Sequence, residues 1–259
     1  MNSDTGLSLD SLVDQAVALL READHLVVLS GAGISTPSGI PDFRSAGSGL
    51  WDQADPYEVA SIKAFRRRPQ SFYDWLRPLL GLLFSADPNP AHLALSQMED
   101  YGLLQCIITQ NIDGLHRKAG SRCVCEVHGH LREATCLNCF AEFEGSSILA
   151  EYLKGGEVPS CTQCGGVIKP NVILLGELLP VSVMAKARKQ AASCDLMLVV
   201  GSSLEMAPAG ELPQLAKRSG ARLIFVNLST TPLDSIADLI IHADAADILP
   251  RLSAPFVGY

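Results

Sequence analysis

An acid, an aromatic ring and a permanent cation stand together at Asp42, Phe43 and Arg44, on a stretch braced by Pro37 and Pro41. Just upstream, the apolar run 26–29 leads into Gly31-Ala32-Gly33, where glycine permits the close backbone approach that a pyrophosphate needs, and Ser35 and Thr36 stand near a possible helix N-terminus. Thr36 replaces the third glycine of the usual dinucleotide fingerprint, so this segment alone leaves phosphate binding and a plain strand-to-helix turn equally open. A second polar group, Gln110, Asn111 and Asp113, follows the apolar run 103–109, either to face a ligand or to cap the next helix. His128 ends the run 124–127; its ring titrates near neutrality, which suits a general base, with a structural histidine as the alternative and His130 as a competitor. Gly201-Ser202-Ser203 and Asn227 end further apolar runs, as hydroxyl and amide groups for phosphate and ribose or as ordinary turn residues. An asparagine there departs from the carboxylate common in dehydrogenases.

The cysteines divide into two sets. Cys136-x-x-Cys139 and Cys161-x-x-Cys164, the second followed by Gly165-Gly166, supply four thiolates, which satisfy a tetrahedral zinc and leave no open position for chemistry. The metal is therefore read as structural, with a disulfide pair or redox thiols as the minor alternative. Cys106, Cys123, Cys125 and Cys194 lie in or beside apolar runs and read as small buried hydrophobes.

Positioning these groups requires strands whose carboxyl ends converge. Runs at 26–29, 103–109, 124–127, 172–175, 196–200 and 223–226 are short and nearly continuously apolar, as in strands covered on both faces. Helical patterns at 9–23, 91–101, 182–192 and 209–219 alternate with them, which predicts a doubly wound, Rossmann-like parallel α/β sheet with ligand at the strand ends. Two segments break the alternation: 51–84, helical and aromatic-rich, and 131–169, which carries the paired cysteines. They predict a smaller lobe made of a helical insertion and a four-cysteine zinc ribbon. The expected division is one catalytic unit, with a large lobe over 1–44, 87–130 and 168–259 and a small lobe over 45–86 and 131–167.

Composition sets the outer limits. With 259 residues, 47% hydrophobic and 19% charged, the chain can bury a sizeable core. A formal net charge of −8 argues against general binding to nucleic acid or anionic membranes, and the one basic run, Arg66 to Arg68, reads as a solvated helix face. Neither an export leader nor a membrane-spanning apolar stretch is evident, so a soluble cytoplasmic protein with reduced thiols is expected.

Taken together these segments resemble the sirtuin family, across nearly the whole chain from about residue 12 to 249. The resemblance is carried by Gly-Ala-Gly-Ile-Ser at 31–35, Ser-Gly-Ile-Pro-Asp-Phe-Arg-Ser at 38–45, Thr-Gln-Asn-Ile-Asp-Gly-Leu-His at 109–116, His128-Gly129, the four paired cysteines, Lys169-Pro170, Gly176-Glu177 and Gly-Ser-Ser-Leu at 201–204. It is greatest to bacterial and archaeal members with short termini. The resemblance implies an NAD-dependent protein lysine deacylase that releases nicotinamide and O-acyl-ADP-ribose, with acyl-lysine proteins or peptides and NAD as its partners. Mono-ADP-ribosyl transfer is the rival activity, and a redox dehydrogenase or a zinc-containing binding module are more distant ones.

By the same resemblance His128 is the general base and Asn111 orients ribose and water. The NAD site takes Ala32, Gly33, Thr36, Asp42, Phe43, Arg44, Gln110, Asn111, Ile112, Asp113, Gly201, Ser202, Ser203, Asn227, Leu228, Asp244 and Ala245. Ile112 and Asp113 hold the nicotinamide amide, and Phe43 shields the reactive ribose. Substrate lies along Phe43, Ile173, Leu175, Gly176, Glu177, Leu178, Leu204, Glu205 and Met206, largely as an added strand. Two departures bear on specificity. Ile173-Leu174-Leu175 stands where many relatives have a valine, an aromatic and a phenylalanine, implying a roomier tunnel for acyl chains longer than acetyl. Tyr73 matches relatives that prefer succinyl-lysine, but Leu76 occupies their arginine position, implying weak desuccinylation.

Overall fold

The structure, a computed structural model, describes residues 8–42, 49–50 and 54–256. In chain order the elements are α1 (Leu9–Glu22), β1 (Leu26–Ser30), α2 (Pro56–Val59), α3 (Ile62–Arg67), α4 (Pro69–Ser85), α5 (Pro90–Asp100), β2 (Leu104–Thr109), α6 (Leu115–Lys118), β3 (Val124–Glu126), β4 (Gly129–Cys136), β5 (Glu142–Glu144), α7 (Gly145–Gly155), β6 (Ile168–Val172), α8 (Val181–Ser193), β7 (Leu196–Val200), α9 (Leu212–Arg218), β8 (Arg222–Val226), β9 (Leu239–Ile241) and α10 (Ala245–Ser253). Six of the strands form one sheet in the order β3-β2-β1-β7-β8-β9, and every pairing within it is parallel.

The apolar runs are continuous because consecutive residues feed opposite cores. Leu26 and Val28 pack with Leu12, Leu20, Leu95 and Ile248 of α1, α5 and α10, whereas Val27 and Leu29 pack with Met184, Ala187, Leu212 and Ala216 of α8 and α9. Both faces are thereby covered, and the doubly wound parallel sheet expected from the sequence is present. The chain leaves β1 for β2 on one side and receives β7 on the other. Such a reversal of strand order opens a crevice at the carboxyl ends. Gly31 and Gly201 meet there, with Gly31 N–H donating to the Val200 carbonyl at 3.0 Å.

A separate three-stranded sheet, β5-β4-β6, is antiparallel and shares a second apolar body with α3, α4 and α7, including Phe65, Phe72, Tyr73, Leu76 and Tyr152. Tyr73 is fully buried there, and its hydroxyl donates to the Ile168 carbonyl at 2.8 Å.

Two expectations are corrected, and one strand is added. The strand read at 172–175 is not in the parallel sheet; β6 ends at Val172 and pairs with β4. Beyond it the amide of Leu174 is held by the Glu177 carboxylate at 2.8 Å, so the segment makes only an isolated bridge, Leu175 to Ser61. β9, three residues long, was too short to stand out as an apolar run. No α-helix begins at Ser35 or Thr36: two 3-10 turns, Ala32–Ile34 and Thr36–Ser38, fill this stretch and end at Gly39 with φ 82°. None of the described helices is long and apolar enough to cross a membrane.

Candidate active site

One cleft of about 1510 Å³ runs from the crevice of the parallel sheet to the apolar body around α4. That exceeds the usual size of a single small-molecule pocket, and suits two ligands meeting end to end. Its wall collects most of the residues singled out from the sequence: Ala32, Gly33, Thr36, Asp42, Gln110, Asn111, Ile112 and His128; Ile173, Leu175, Gly176, Glu177 and Leu178; Gly201, Ser202, Ser203, Glu205 and Met206; Asn227, Leu228, Asp244 and Ala245. Asp113 and Leu204 do not line it. Phe43 and Arg44 lie outside the described residues.

The glycines at the crevice answer first to each other. A Cβ on Gly33 would come within 2.9 Å of Gly201 Cα, and one on Gly201, at φ +59°, would meet the Ile34 amide nitrogen at 2.3 Å. Only glycine lets the loops after β1 and β7 touch, and the contact leaves both loops along the cleft. Asn227 closes the neighbouring turn by accepting from Ser202 N–H at 2.8 Å, and Gln110 Nε2 donates to Ser202 Oγ at 2.8 Å. The buried Nδ2 of Asn227 has no protein partner among the described residues. An amide donor left over in this wall fits a hydroxyl-bearing ligand such as the ribose of NAD. Asp244 caps α10 by accepting from Ala246 N–H at 2.7 Å.

His128 sits in the turn between β3 and β4, with Nδ1 2.9 Å from the Gln110 carbonyl. A carbonyl oxygen only accepts, so Nδ1 carries the proton and Nε2 is the basic nitrogen. His130 is placed elsewhere: it does not line the cleft, and its Nε2 lies 3.9 Å from Glu133. Asn111 is held equally firmly. Its Nδ2 donates to the Gly31 carbonyl and to Ser35 Oγ, both at 3.1 Å, which spends both amide hydrogens and presents Oδ1 as an acceptor. Ser35 Oγ in turn donates to Asp113 at 2.8 Å, and Asp113 also accepts from Leu115 N–H at 2.9 Å. Asp113 therefore acts in this structure through Ser35 and Asn111.

Sequence reasoning passed over the groups behind this wall. His92, on α5, lies 3.5 Å from Ser35 Oγ; His116, on α6, lies 2.8 Å from Ser30 Oγ, which donates to Thr109 Oγ1 at 2.9 Å. The two imidazoles are buried with centroids 4.9 Å apart. For His92 the signal in the sequence was a polar side chain on the otherwise apolar face of α5. Burial lowers His92 from 6.5 to about 4 and drives His116 down as well. The folded state keeps both neutral while the unfolded chain takes up protons below about 6.5, so stability falls as pH drops through that value. His92 alone is expected to cost about 2 kcal/mol by pH 5. Thermal melts at pH 7 and pH 5 check this; equal melting temperatures would contradict it.

Lys169 and Glu177 were also missed as a pair. The ammonium of Lys169, nearly buried, donates to the Val172 carbonyl at 2.7 Å and meets Glu177 at 3.0 Å, which ties the cleft-lining segment after β6 back onto the strand.

The four paired cysteines come together as read. Their sulfur atoms lie within 4.8 Å of one another, with Cys136 to Cys164 at 3.5 Å and Cys139 to Cys161 at 3.6 Å. Backbone N–H groups of Asn138, Gln163 and Gly166 each point at a cysteine sulfur at 3.4 Å, the donors a thiolate wants. A Cβ on Gly166 would lie 2.9 Å from Cys136 Sγ, so the knuckle closes only around glycine. This donor set fits a structural zinc and offers no fifth ligand. None of the four lines the cleft.

Residues 31–208 match the family model of the Sir2 family. NAD-dependent protein deacylase 2 of Archaeoglobus fulgidus is 43% identical over 245 residues, covering 94% of this chain and 96% of that protein. A solved structure presented as the structural basis for the mechanism and regulation of Sir2 enzymes is 42% identical with a TM-score of 0.90, covering 95% of this chain and 98% of that one. A Sir2 complex with a p53 peptide and NAD+ is 37% identical with a TM-score of 0.85, covering 96% and 98%. Such agreement along nearly the full length, in sequence and in fold, shows that the chain belongs to the Sir2 family.

Proposed function

We propose that the chain is an NAD-dependent protein lysine deacylase whose cleft takes NAD at the crevice and an acyl-lysine side chain from the opposite end. The observation that carries this reading is the fixed His128 ring, whose Gln110 contact makes Nε2 a base in the wall shared by the two ends. NAD supplies an electrophilic anomeric carbon and nicotinamide as leaving group. His128 accepts a proton from a ribose hydroxyl through Nε2. Asn111 holds ribose or water at Oδ1, Ile112 packs against the nicotinamide ring, and Asn227 donates Nδ2 to a ribose hydroxyl. Gly33, Thr36 and Ser202 face the phosphates. In this reading 1–44, 87–130 and 168–259 form the nucleotide lobe, and 45–86 and 131–167 the small lobe.

Acyl preference follows from the apolar end, where Leu76, Leu79, Ile112, Val172, Leu174 and Leu175 line the cleft. Butyryl and crotonyl peptides are expected to turn over faster than acetyl peptide, since branched leucines leave room where relatives carry rings; equal or slower turnover of both contradicts it. Succinyl peptide is expected to be a poor substrate. Tyr73 spends its hydroxyl on Ile168, Leu76 brings no charge, and Arg77 turns away to the Leu153 carbonyl at 2.7 Å. A buried carboxylate without a partner costs several kcal/mol, which corresponds to a loss of about 100-fold or more in kcat/KM. A succinyl rate equal to the acetyl rate overturns this.

Mass spectrometry of the products tests the function itself. Deacylated peptide, nicotinamide and O-acyl-ADP-ribose in equal amounts are expected, whereas ADP-ribose attached to protein with the acyl group retained identifies the transferase instead.

A further inference from the structure

Three cysteines outside the zinc cluster converge at the edge of the parallel sheet. Cys106 on β2 and Cys125 on β3 are buried with sulfurs 3.7 Å apart, and Cys123, half-buried, is the member of the set with access to solvent. Ile107 pairs with Val124 and its amide donates to the Cys123 carbonyl at 2.8 Å, so Cys106 lies directly across from Cys123. Neighbouring strands are about 4.8 Å apart, within the Cα range of a disulfide. The diagonal to Cys125, two residues further along, is about 8 Å, beyond it. Lys186, on α8, faces the set, and its ammonium is favoured chiefly by Cys123. Cys125 is lowered through the Cys106 thiol and by Lys186 and Arg117, so cationic charge gathers over the cluster.

We propose that Cys106, Cys123 and Cys125 form a peroxide-reactive thiol site, in which the half-buried Cys123 is oxidised first and Cys106 closes a disulfide across the strand pair. The Cys123 thiolate attacks one oxygen of hydrogen peroxide; the O–O bond breaks and hydroxide leaves as water, taking up a proton, to give a sulfenic acid. Cys106 sulfur then attacks Cys123 sulfur; the S–O bond breaks and the second hydroxide leaves as water with the Cys106 proton. Two thiols are oxidised by two electrons, and one peroxide is reduced to two waters.

The test is brief hydrogen peroxide treatment of the zinc-loaded protein, followed by thiol alkylation, peptide mapping and a zinc measurement. The expected result is a Cys106–Cys123 linked peptide lighter by two hydrogens, formed before zinc is released, and absent in Cys123→Ser. Alkylated Cys106 and Cys123 at peroxide doses that already release zinc overturn the proposal, as does a Cys106–Cys125 linkage in place of Cys106–Cys123.

Discussion

Replacement of His128 by alanine is expected to lower kcat/KM for deacylation by about 10²–10⁴-fold, the usual contribution of a positioned general base. The ring is anchored through Nδ1 to the Gln110 carbonyl, so the loss removes Nε2 from the cleft without disturbing a buried core. In the reaction proposed above nicotinamide leaves before the proton transfer, and its expulsion does not call on Nε2. Exchange of labelled nicotinamide into NAD, in the presence of acyl peptide, is therefore expected to survive in the variant while product formation fails. Loss of both in equal measure would mean that His128 serves binding alone, and full retention of deacylation would remove it from the mechanism.

Zinc removal is expected to have the next largest effect, although the metal touches nothing that reacts. The tetrathiolate cluster ties β4 to the loop before β6, and the small core around Ala134, Cys136, Cys161 and Ile168 is too slight to hold them by itself. Zinc binding to such sites contributes on the order of 10 kcal/mol to folding. β6 runs from Ile168 to Val172 and leads into the Ile173 to Glu177 wall, which Lys169 pins through Glu177. Chelation, or Cys161→Ser, is expected to unfold the small sheet and abolish peptide turnover while NAD binding at the crevice persists. Calorimetry with and without chelator, alongside an NAD titration, checks both halves; unchanged melting and turnover in zinc-free protein would contradict the account.

The large sheet was legible in the sequence because burial on both faces makes a strand apolar throughout. Val27 and Val28 feed opposite cores and both had to be hydrophobic. The zinc cluster was legible for a related reason, since metal ligands need fixed residue types at fixed spacing. What escaped was set by tertiary contacts that leave no periodicity. The contact between Gly33 and Gly201 joins two loops distant in the chain, so the sequence offered only a phosphate motif or a plain turn as reasons for the glycines. The stop after Val172 came from Glu177 capturing an amide, invisible in an apolar run that reads as a strand. His92 drew no reading and His116 entered only as the last residue of the 109–116 motif; their burial beneath Ser35 and Ser30 ties them to the site. Asp113 was read as a ligand contact, and nothing in the sequence signalled that it also holds Ser35, which holds Asn111.

The most direct measurement is a crystal structure with an unreactive NAD analogue and an acyl-lysine peptide bound together. His128 Nε2 is expected within hydrogen-bond reach, about 2.6–3.2 Å, of a hydroxyl on the nicotinamide ribose, with the acyl oxygen facing the anomeric carbon between them. A complex in which both ligands bind but the imidazole contacts neither, or in which the acyl chain lies outside the apolar end of the cleft, would contradict it.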